Sequence, residues 1–352
     1  MLKRSEIELA YQLLLGRIPK DRSVIDRLAS KLDSIESLRR RFLNMKEVQK
    51  RFGQAGGPAA TALQKGPGRQ LLLAERPTID YDVPPEQLER LIAHVEGVWR
   101  SLGQSEPHWS VLTNDMYKPD SLADNKARFY ESGRRQVELF SHAAARNGID
   151  LGSLGTCLEI GSGVGRVTVW LATVFDQVIG CDISAPHLAL AEEAAGERNC
   201  SNIKFRHVAS ISAYTELPEF DAFFSVISLQ HSPPPVQKHV LEAVLGRLRP
   251  GGVGYFQIPT QILGYRFTVD EYLGDIGAHE KMEMHCLPQM ALFEIFERTG
   301  CRVLEVRDDG HSRPAKLSNT FLVRKRAPQR ATRGRQPRPI GSTLPGSAGS
   351  PA

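Results

Sequence analysis

Residues 158–168 read LEIGSGVGRVT. Three glycines alternate through the stretch, Gly161, Gly163 and Gly165, and Glu159 stands two residues before the first, between Leu158 and Ile160. Apolar residues on one side and a helix-compatible run on the other describe a strand that turns sharply into a helix. Glycine permits such a turn and lets a ligand approach the backbone closely. The free N–H groups at the start of the following helix favour a negative or polar group. The spacing then separates the candidates. A dinucleotide site wants G-x-G-x-x-G, but here the third glycine arrives one residue early and Arg166 takes the place of the last one. A P-loop needs G-K-S or G-K-T after the glycines, and neither occurs.

Working outward, the rhythm from residue 156 onward alternates strand and helix. Apolar, β-rich runs fall at 156–160, 177–182, 203–208, 221–228 and 252–258. Helical stretches fall at about 165–174, 186–198 and 236–248. This is the βαβ pattern of a parallel sheet covered on both faces. After residue 288 one more helix precedes CRVLEV and NTFLVRK, which are spaced to form a terminal antiparallel pair.

The pattern E-x-G-x-G-x-G resembles motif I of the class I S-adenosylmethionine-dependent methyltransferases, and the resemblance runs over about residues 125–325. VIGCDIS, FDAFFSVISLQHSPP and LRPGGVGYFQIP resemble the family's second strand, its fourth strand with the loop after it, and its fifth strand, in that order. The resemblance implies an α/β, Rossmann-like seven-stranded sheet. It would be mostly parallel with an antiparallel last strand, carry helices on both faces, and use S-adenosyl-L-methionine as cofactor. It implies that Glu159, Gly161, Ser162, Gly163 and Gly165 form the cofactor loop. Asp182, 17 residues past Gly165, would accept hydrogen bonds from the ribose diol, and Ile183 would pack on adenine. Many members carry an acid after the third strand. This chain has FRHVASISAY there, so the hydroxyl of Ser210 or a backbone carbonyl is expected to substitute. Gln230 is expected to line the pocket. FYESGRRQ, residues 129–136, resembles a helix that caps the cofactor, with Tyr130 and Gly133 over its methionine end and Arg134 on its carboxylate.

Methyl transfer from a sulfonium needs mainly an aligned nucleophile and exclusion of water. A hydroxyl acceptor also needs a base. His231, after the fourth strand, is the candidate base, with ordering of the Pro233–Pro235 turn as the structural alternative. The insertion 260–287 is the expected acceptor lid, and Tyr265, Tyr272, His279 and His285 are its candidate substrate contacts. His279 and His285 lie six apart, which is poor spacing for a shared metal, and no metal is expected.

The rest of the chain divides by composition. Residues 1–52 read as a small helical module, 53–80 as a linker, and 81–150 as a helical lead-in covering the cofactor site. Residues 151–326 are the methyltransferase-like domain, and 327–352 a disordered basic tail. ELAYQLLLGRIPKD in the first block resembles the opening of a short bacterial helical domain that often accompanies transferases of surface-glycan pathways. That association suggests a docking partner for 1–52 and a glycan acceptor. Residues 324–352 hold seven of the Lys and Arg residues and no acid. The remainder has 38 basic and 40 acidic residues, so the overall charge of +5 belongs to the tail. A near-neutral body argues against nucleic acid as substrate. No apolar run is long enough to span a membrane, which leaves peripheral association open. The five cysteines form no C-x-x-C pair, so neither a disulfide framework nor a zinc site is suggested. With these features, the two resemblances imply a methyltransferase that is expected to be cytoplasmic and bacterial. It is expected to act on oxygen of a small molecule or glycan. An N-methyltransferase and a catalytically silent cofactor-binding scaffold are the alternatives.

Overall fold

A computed structural model describes residues 78–310 and 316–327, together with residues 23–32 and isolated positions between 4 and 45. The core of the expected linker, 53–77, and the basic tail beyond 327 lie outside the described residues. Within the N-terminal block one helix, α1 (Ser23–Lys31), is described over its whole length. Ile7, Tyr11, Ile25, Leu28, Leu38 and Phe42 are buried together there.

The lead-in begins with α2 (Pro85–Ser105), which follows Pro84 and buries Leu91, Ile92 and Val95. Proline fits the first turn because its missing N–H would have no helical partner. A short helix, α3 (Pro107–Val111), follows. Next comes α4 (Pro119–Arg146), one continuous helix of 28 residues. Between α3 and α4 the chain makes a single 3₁₀ turn at Asp115–Tyr117, with Asn114 capping the turn through Met116 N–H.

The α/β unit runs β1 (Thr156–Ile160), α5 (Thr168–Leu171), β2 (Gln177–Asp182), α6 (Ala185–Glu197), β3 (Ile203–His207), α7 (Ile211–Thr215), β4 (Phe220–Ser225), α8 (Pro234–Arg247), β5 (Leu248–Ile262), α9 (Val269–Gly274), α10 (Gln289–Arg298), β6 (Cys301–Asp308) and β7 (Lys316–Lys325). The sheet order is β3-β2-β1-β4-β5-β7-β6. The first five strands are parallel, and β7 runs antiparallel to both β5 and β6. This is the seven-stranded methyltransferase arrangement that the resemblance implied.

Strand alternation builds two cores. Leu158, Phe223 and Phe256 face the layer of α2, α8 and α10. Cys157, Phe224 and Tyr255 face the layer of α4 and α5. Phe140 of α4 stacks on Tyr255 with ring centroids 5.0 Å apart. Glu159 falls on the same side as Cys157, so a carboxyl replaces an apolar group at the cofactor edge of an otherwise apolar strand face. Two expected boundaries shift. β4 stops at Ser225 and not at 228, because Ile227 adopts φ +55° and turns the chain out of the sheet. Residues 78–80, placed in the linker by composition, bridge to Phe267 of the insertion.

Candidate cofactor cleft and active site

The cleft opens at the carboxyl edge of the parallel strands, where the strand order reverses between β1 and β4. Ligands of open α/β sheets bind at such a point. Its open space, mouth included, is about 900 Å³, within the roughly 300–1,000 Å³ typical of small-ligand sites.

The glycine turn forms one wall. Gly161, Gly163 and Gly165 all have positive φ, at +78°, +52° and +81°. L side chains rarely adopt that region. A Cβ on Gly161 would lie 1.8 Å from Ser228 Oγ, and one on Gly163 would lie 2.7 Å from Val111. Gly165 differs, since its Cβ position faces Ala191 of α6 and it does not line the cleft. It serves helix packing.

Asp182 at the end of β2 forms the facing wall. Its Oδ2 accepts from Gly163 N–H at 2.7 Å, and its Oδ1 accepts from Ser184 N–H at 2.9 Å. The carboxylate and the glycine turn therefore share one cleft. Ile183 lines it beside Asp182. Where Ser210 was expected, Val208 and Tyr214 line the cleft. Ser210 caps α7 and accepts from Ala213 N–H.

Glu159 lines the floor, 3% exposed. Thr168 Oγ1 donates to it at 2.6 Å. Burial pushes its carboxyl up to about 8, against the opposing pull of Thr168 and Arg166, while the nearby Asp182 charge raises it further. Arg166, read from sequence only as the residue that breaks a dinucleotide motif, is 8% exposed and lines the cleft. It donates to Ser132 Oγ at 3.2 Å, and its Nε is buried without a partner, as is Ser162 Oγ. Buried polar groups left unpaired beside open volume point to a polar ligand.

The roof comes from the lead-in. Val95 and Trp99 of α2 and Ser110 and Val111 of α3 line the cleft. His187 of α6, wholly buried, ties this roof to the Asp182 loop. It lies 2.7 Å from Ser184 Oγ and 2.9 Å from Ser110 Oγ. A lead-in covering the cofactor site was expected over 81–150, but not these particular contacts, which depend on how helices dock and on no motif.

Several expected residues stand elsewhere. Tyr130 lies buried behind the glycine turn and donates its hydroxyl to Val164 O at 3.1 Å, so it supports the turn and does not face the cleft. Gly133 packs against the Arg166 carbonyl, only 2.0 Å from where a Cβ would be. Arg134 is exposed and paired with Glu131 and Glu138. Gln230 is 5% exposed and bonds Gln257 and His231 outside the cleft lining.

His231 lies beside Trp99, with ring centroids 5.4 Å apart. Its Nδ1 is 2.7 Å from Glu283 O, and its Nε2 is 3.2 Å from Gln230 Nε2. The first contact makes Nδ1 the proton-bearing nitrogen, so Nε2 accepts from the amide. Burial lowers its pKa to about 4. The four insertion residues gather around a carboxylate that sequence reading missed. Glu283 accepts from Tyr272 at 2.9 Å, and it lies 2.7 Å from His279 Nδ1 and 3.3 Å from His285 Nε2. Tyr265 reaches the cluster through His285 Nδ1 at 2.8 Å. Glu283 is held down at about 2, with His285, His279 and Tyr272 together outweighing the opposing effect of burial. A side pocket of about 230 Å³ next to this cluster shares Val95 and Trp99 with the main cleft. Among the described residues no group of three or more His, Cys, Asp or Glu is placed to hold a metal ion. No helix among them is long and apolar enough to cross a membrane.

The residues present fit S-adenosylmethionine. Gly161 to Gly163 leave backbone open to its amino-acid end, and Ser162 Oγ and Arg166 Nε offer unpaired polar atoms there. Asp182 and Ile183 stand where a ribose and base would be held. Comparison with known proteins agrees. The family described as "Methyltransferase domain" matches residues 157–252. The protein-L-isoaspartate O-methyltransferase of Methylobacillus flagellatus is 33% identical over 103 residues, covering 29% of this chain and 44% of that relative. The chain thus spans less than half the length of that curated relative. Magnesium protoporphyrin IX methyltransferase of Synechocystis PCC 6803, with S-adenosylhomocysteine bound, aligns at 18% identity over 56% of this chain and 85% of that one, with a TM-score of 0.41. An S-adenosylmethionine-dependent methyltransferase of Clostridium acetobutylicum aligns at 16% identity over 56% and 92%, with a TM-score of 0.41. These structural likenesses are too loose to bear on function. The sheet order and the glycine turn agree with the match, and residues 157–252 are similar to the methyltransferase-domain family.

Proposed function

We propose that this chain transfers the methyl group of S-adenosylmethionine to an oxygen of a small molecule or glycan. One observation carries the cofactor half of that reading: the 2.7 Å bond from Gly163 N–H to Asp182 Oδ2. It brings the stripped backbone turn and the sugar-binding carboxylate into one cleft. When bound, S-adenosylmethionine supplies an electrophilic methyl group on a good leaving group. The chain's own part is to hold it, orient the acceptor and keep water out. Asp182 has lone pairs left on both oxygens for hydroxyl donors. Trp99 and Val111 close the roof against solvent.

Oxygen as the acceptor atom is supported by the name of the M. flagellatus relative. The glycan suggestion rests on the usual company of the N-terminal module, an association and not a physical argument. A second reading, methylation of an amine, is favoured by the state of His231. A histidine held near 4 is neutral at pH 7 but a feeble base, and an amine arriving unprotonated needs little help. We assign His231 to positioning. Its Nδ1–H anchors the insertion at the Glu283 carbonyl, and its Nε2 is engaged by Gln230. Incubating the protein with methyl-labelled donor and fractionated small-molecule extracts tests the proposal. Label recovered in an alkali-stable ether or in an ester supports oxygen. Label in an amine favours the second reading. Saturable donor binding without transfer to any fraction would favour a silent scaffold.

A further inference from the structure

The glycine turn has already spent most of its N–H groups inside the protein. Gly161 and Ser162 N–H both bond Cys181 O, at 2.8 and 3.0 Å. Gly163 N–H bonds Asp182, and Gly165 N–H bonds Ser162 O at 2.9 Å. The helix that follows, α5, has four residues and adds little dipole. The carboxylate of an amino-acid ligand therefore finds few backbone donors here, and holding it falls to a side chain. The charged and titratable side chains lining the cleft are Glu159, Arg166, Asp182 and His187. Burial drives His187 towards its neutral form. Asp182 already accepts two N–H bonds at the nucleoside end. Arg166 is 8% exposed, and a guanidinium stays charged even where burial lowers its pKa. Its bonded partner is neutral: Nη1 donates to Ser132 Oγ of α4 at 3.2 Å. Nε is buried with no partner. Glu159 is the acid that acts on Arg166, but burial pushes that carboxyl up to about 8 and keeps it largely protonated at pH 7. A buried charge without a counter-charge is costly, and the cleft wall thus holds a cation that lacks its anion.

We propose that Arg166 binds the carboxylate of the donor's amino-acid end and makes the site selective for donors that carry one. The inference rests on the methyltransferase reading above. With Nη1 turned to Ser132, Nε and Nη2 form the opposite edge of the guanidinium. A carboxylate docks on such an edge through two parallel bonds. Ser162 lines the same cleft, 3% exposed, and its Oγ, also without a partner, is a further donor. Glu159 senses the charge of both Arg166 and Asp182, so the carboxylate and the ribose are held on either side of it. Arg134, the residue expected in this role, is exposed and paired with Glu131 and Glu138.

The test is calorimetry on the full chain with two ligands. S-adenosylhomocysteine carries the whole amino-acid end. Its decarboxylated analogue keeps the nucleoside, the sulfur and the amine and lacks only the carboxylate. Arg166→Gln, Arg166→Met and Arg134→Ala are compared with the unaltered protein, and a thermal melt is run on each. The expected result is a preference of about tenfold or more for S-adenosylhomocysteine in the unaltered protein. Both Arg166 variants lose that preference and Arg134→Ala keeps it, while the analogue binds all four proteins within about threefold. Equal loss of both ligands in the Arg166 variants would mean that the guanidinium only props the turn, and overturns the proposal. So does a preference that survives either Arg166 variant, or one that vanishes in Arg134→Ala. Binding of both ligands without preference in the unaltered protein defeats this proposal alone, whether or not the variants fold. Failure of both ligands to bind the unaltered protein defeats the methyltransferase reading itself, and this proposal with it.

Discussion

The glycine turn and the 260–287 insertion both stand at the carboxyl edge of the sheet, and they treat their polar groups in opposite ways. Around the turn, Ser162 Oγ and Arg166 Nε are buried without partners, and Glu159 is kept protonated by burial. In the insertion, Glu283 gathers Tyr272, His279 and His285, and its carboxylate is held ionised. The Glu283 side chain is also the more exposed, at 29% against 3% for Glu159, and its bonds to Tyr272 and His279 are made while His285 Nε2 beside it is not hydrogen-bonded. A largely satisfied network rigidifies a structure. Unsatisfied groups beside open volume await a ligand. Aromatic and titratable residues in a lid are therefore weaker evidence of substrate contact than unpaired atoms in a glycine turn.

The largest effect should come from Gly161→Ala. Its Cβ would meet Ser228 and hold an L side chain at φ +78°. We expect at least about a hundredfold loss of S-adenosylmethionine affinity and about 1–3 kcal/mol of lost stability, read by calorimetry and urea unfolding. Affinity retained in that variant would erase the contrast on the side of the turn. Glu283→Ala should do the reverse. It strands the Tyr272 and His279 donors and should lower stability by about 1–3 kcal/mol while leaving cofactor affinity nearly unchanged. A collapse of affinity would show that the insertion belongs to the donor site.

Acid and base behaviour sharpen the same comparison. Glu159 sits near 8 in the free protein, and a cationic ligand nearby favours its ionised form. Binding therefore lowers that pKa and releases a proton at pH 7, and affinity rises as pH climbs from about 6 to 8 and then levels off. Calorimetry in buffers of different ionisation heat measures the proton, and Glu159→Gln should abolish it. His108 and His231, both lowered to about 4 by burial, act on folding. The unfolded chain protonates them near 6.5 and the fold resists, so stability is lost as pH falls from 6.5 towards 4. Thermal melts across that window should follow this slope, and His231→Gln should make it shallower. The smallest effect belongs to Arg134→Ala. Exposed, paired with Glu131 and Glu138 and lying 5.9 Å over the Trp170 ring, it should shift stability by less than about 1 kcal/mol and leave cofactor affinity alone. A large affinity loss would restore Arg134 to the cofactor.

The sheet was legible because its signals are local. Alternation between apolar strands and helices reported β1 to β5, and the glycine turn and Asp182 lie next to their strands in sequence. The antiparallel pair at β6 and β7 was legible from spacing. The contacts of the roof were not. Trp99, Ser110, Val111 and His187 meet only because α2 and α3 dock across α6, and no short motif encodes such docking. Arg166 was visible but read only as a missing glycine. Tyr130 and Arg134 were assigned by resemblance to a capping helix. α4 instead turns Tyr130 under the glycine turn and Arg134 towards solvent. Glu283 was overlooked because a lone glutamate in a polar insertion looks like surface until its three partners are brought together.

Isothermal calorimetry of the full chain with S-adenosylmethionine, beside Asp182→Ala, tests the central claim most directly. Saturable binding at one site, weakened at least about tenfold by the substitution through the loss of a charged hydrogen-bond acceptor, is the result expected. Absence of binding in the unaltered chain, or binding that Asp182→Ala leaves untouched, would contradict the assignment of the glycine turn and Asp182 to one nucleoside site.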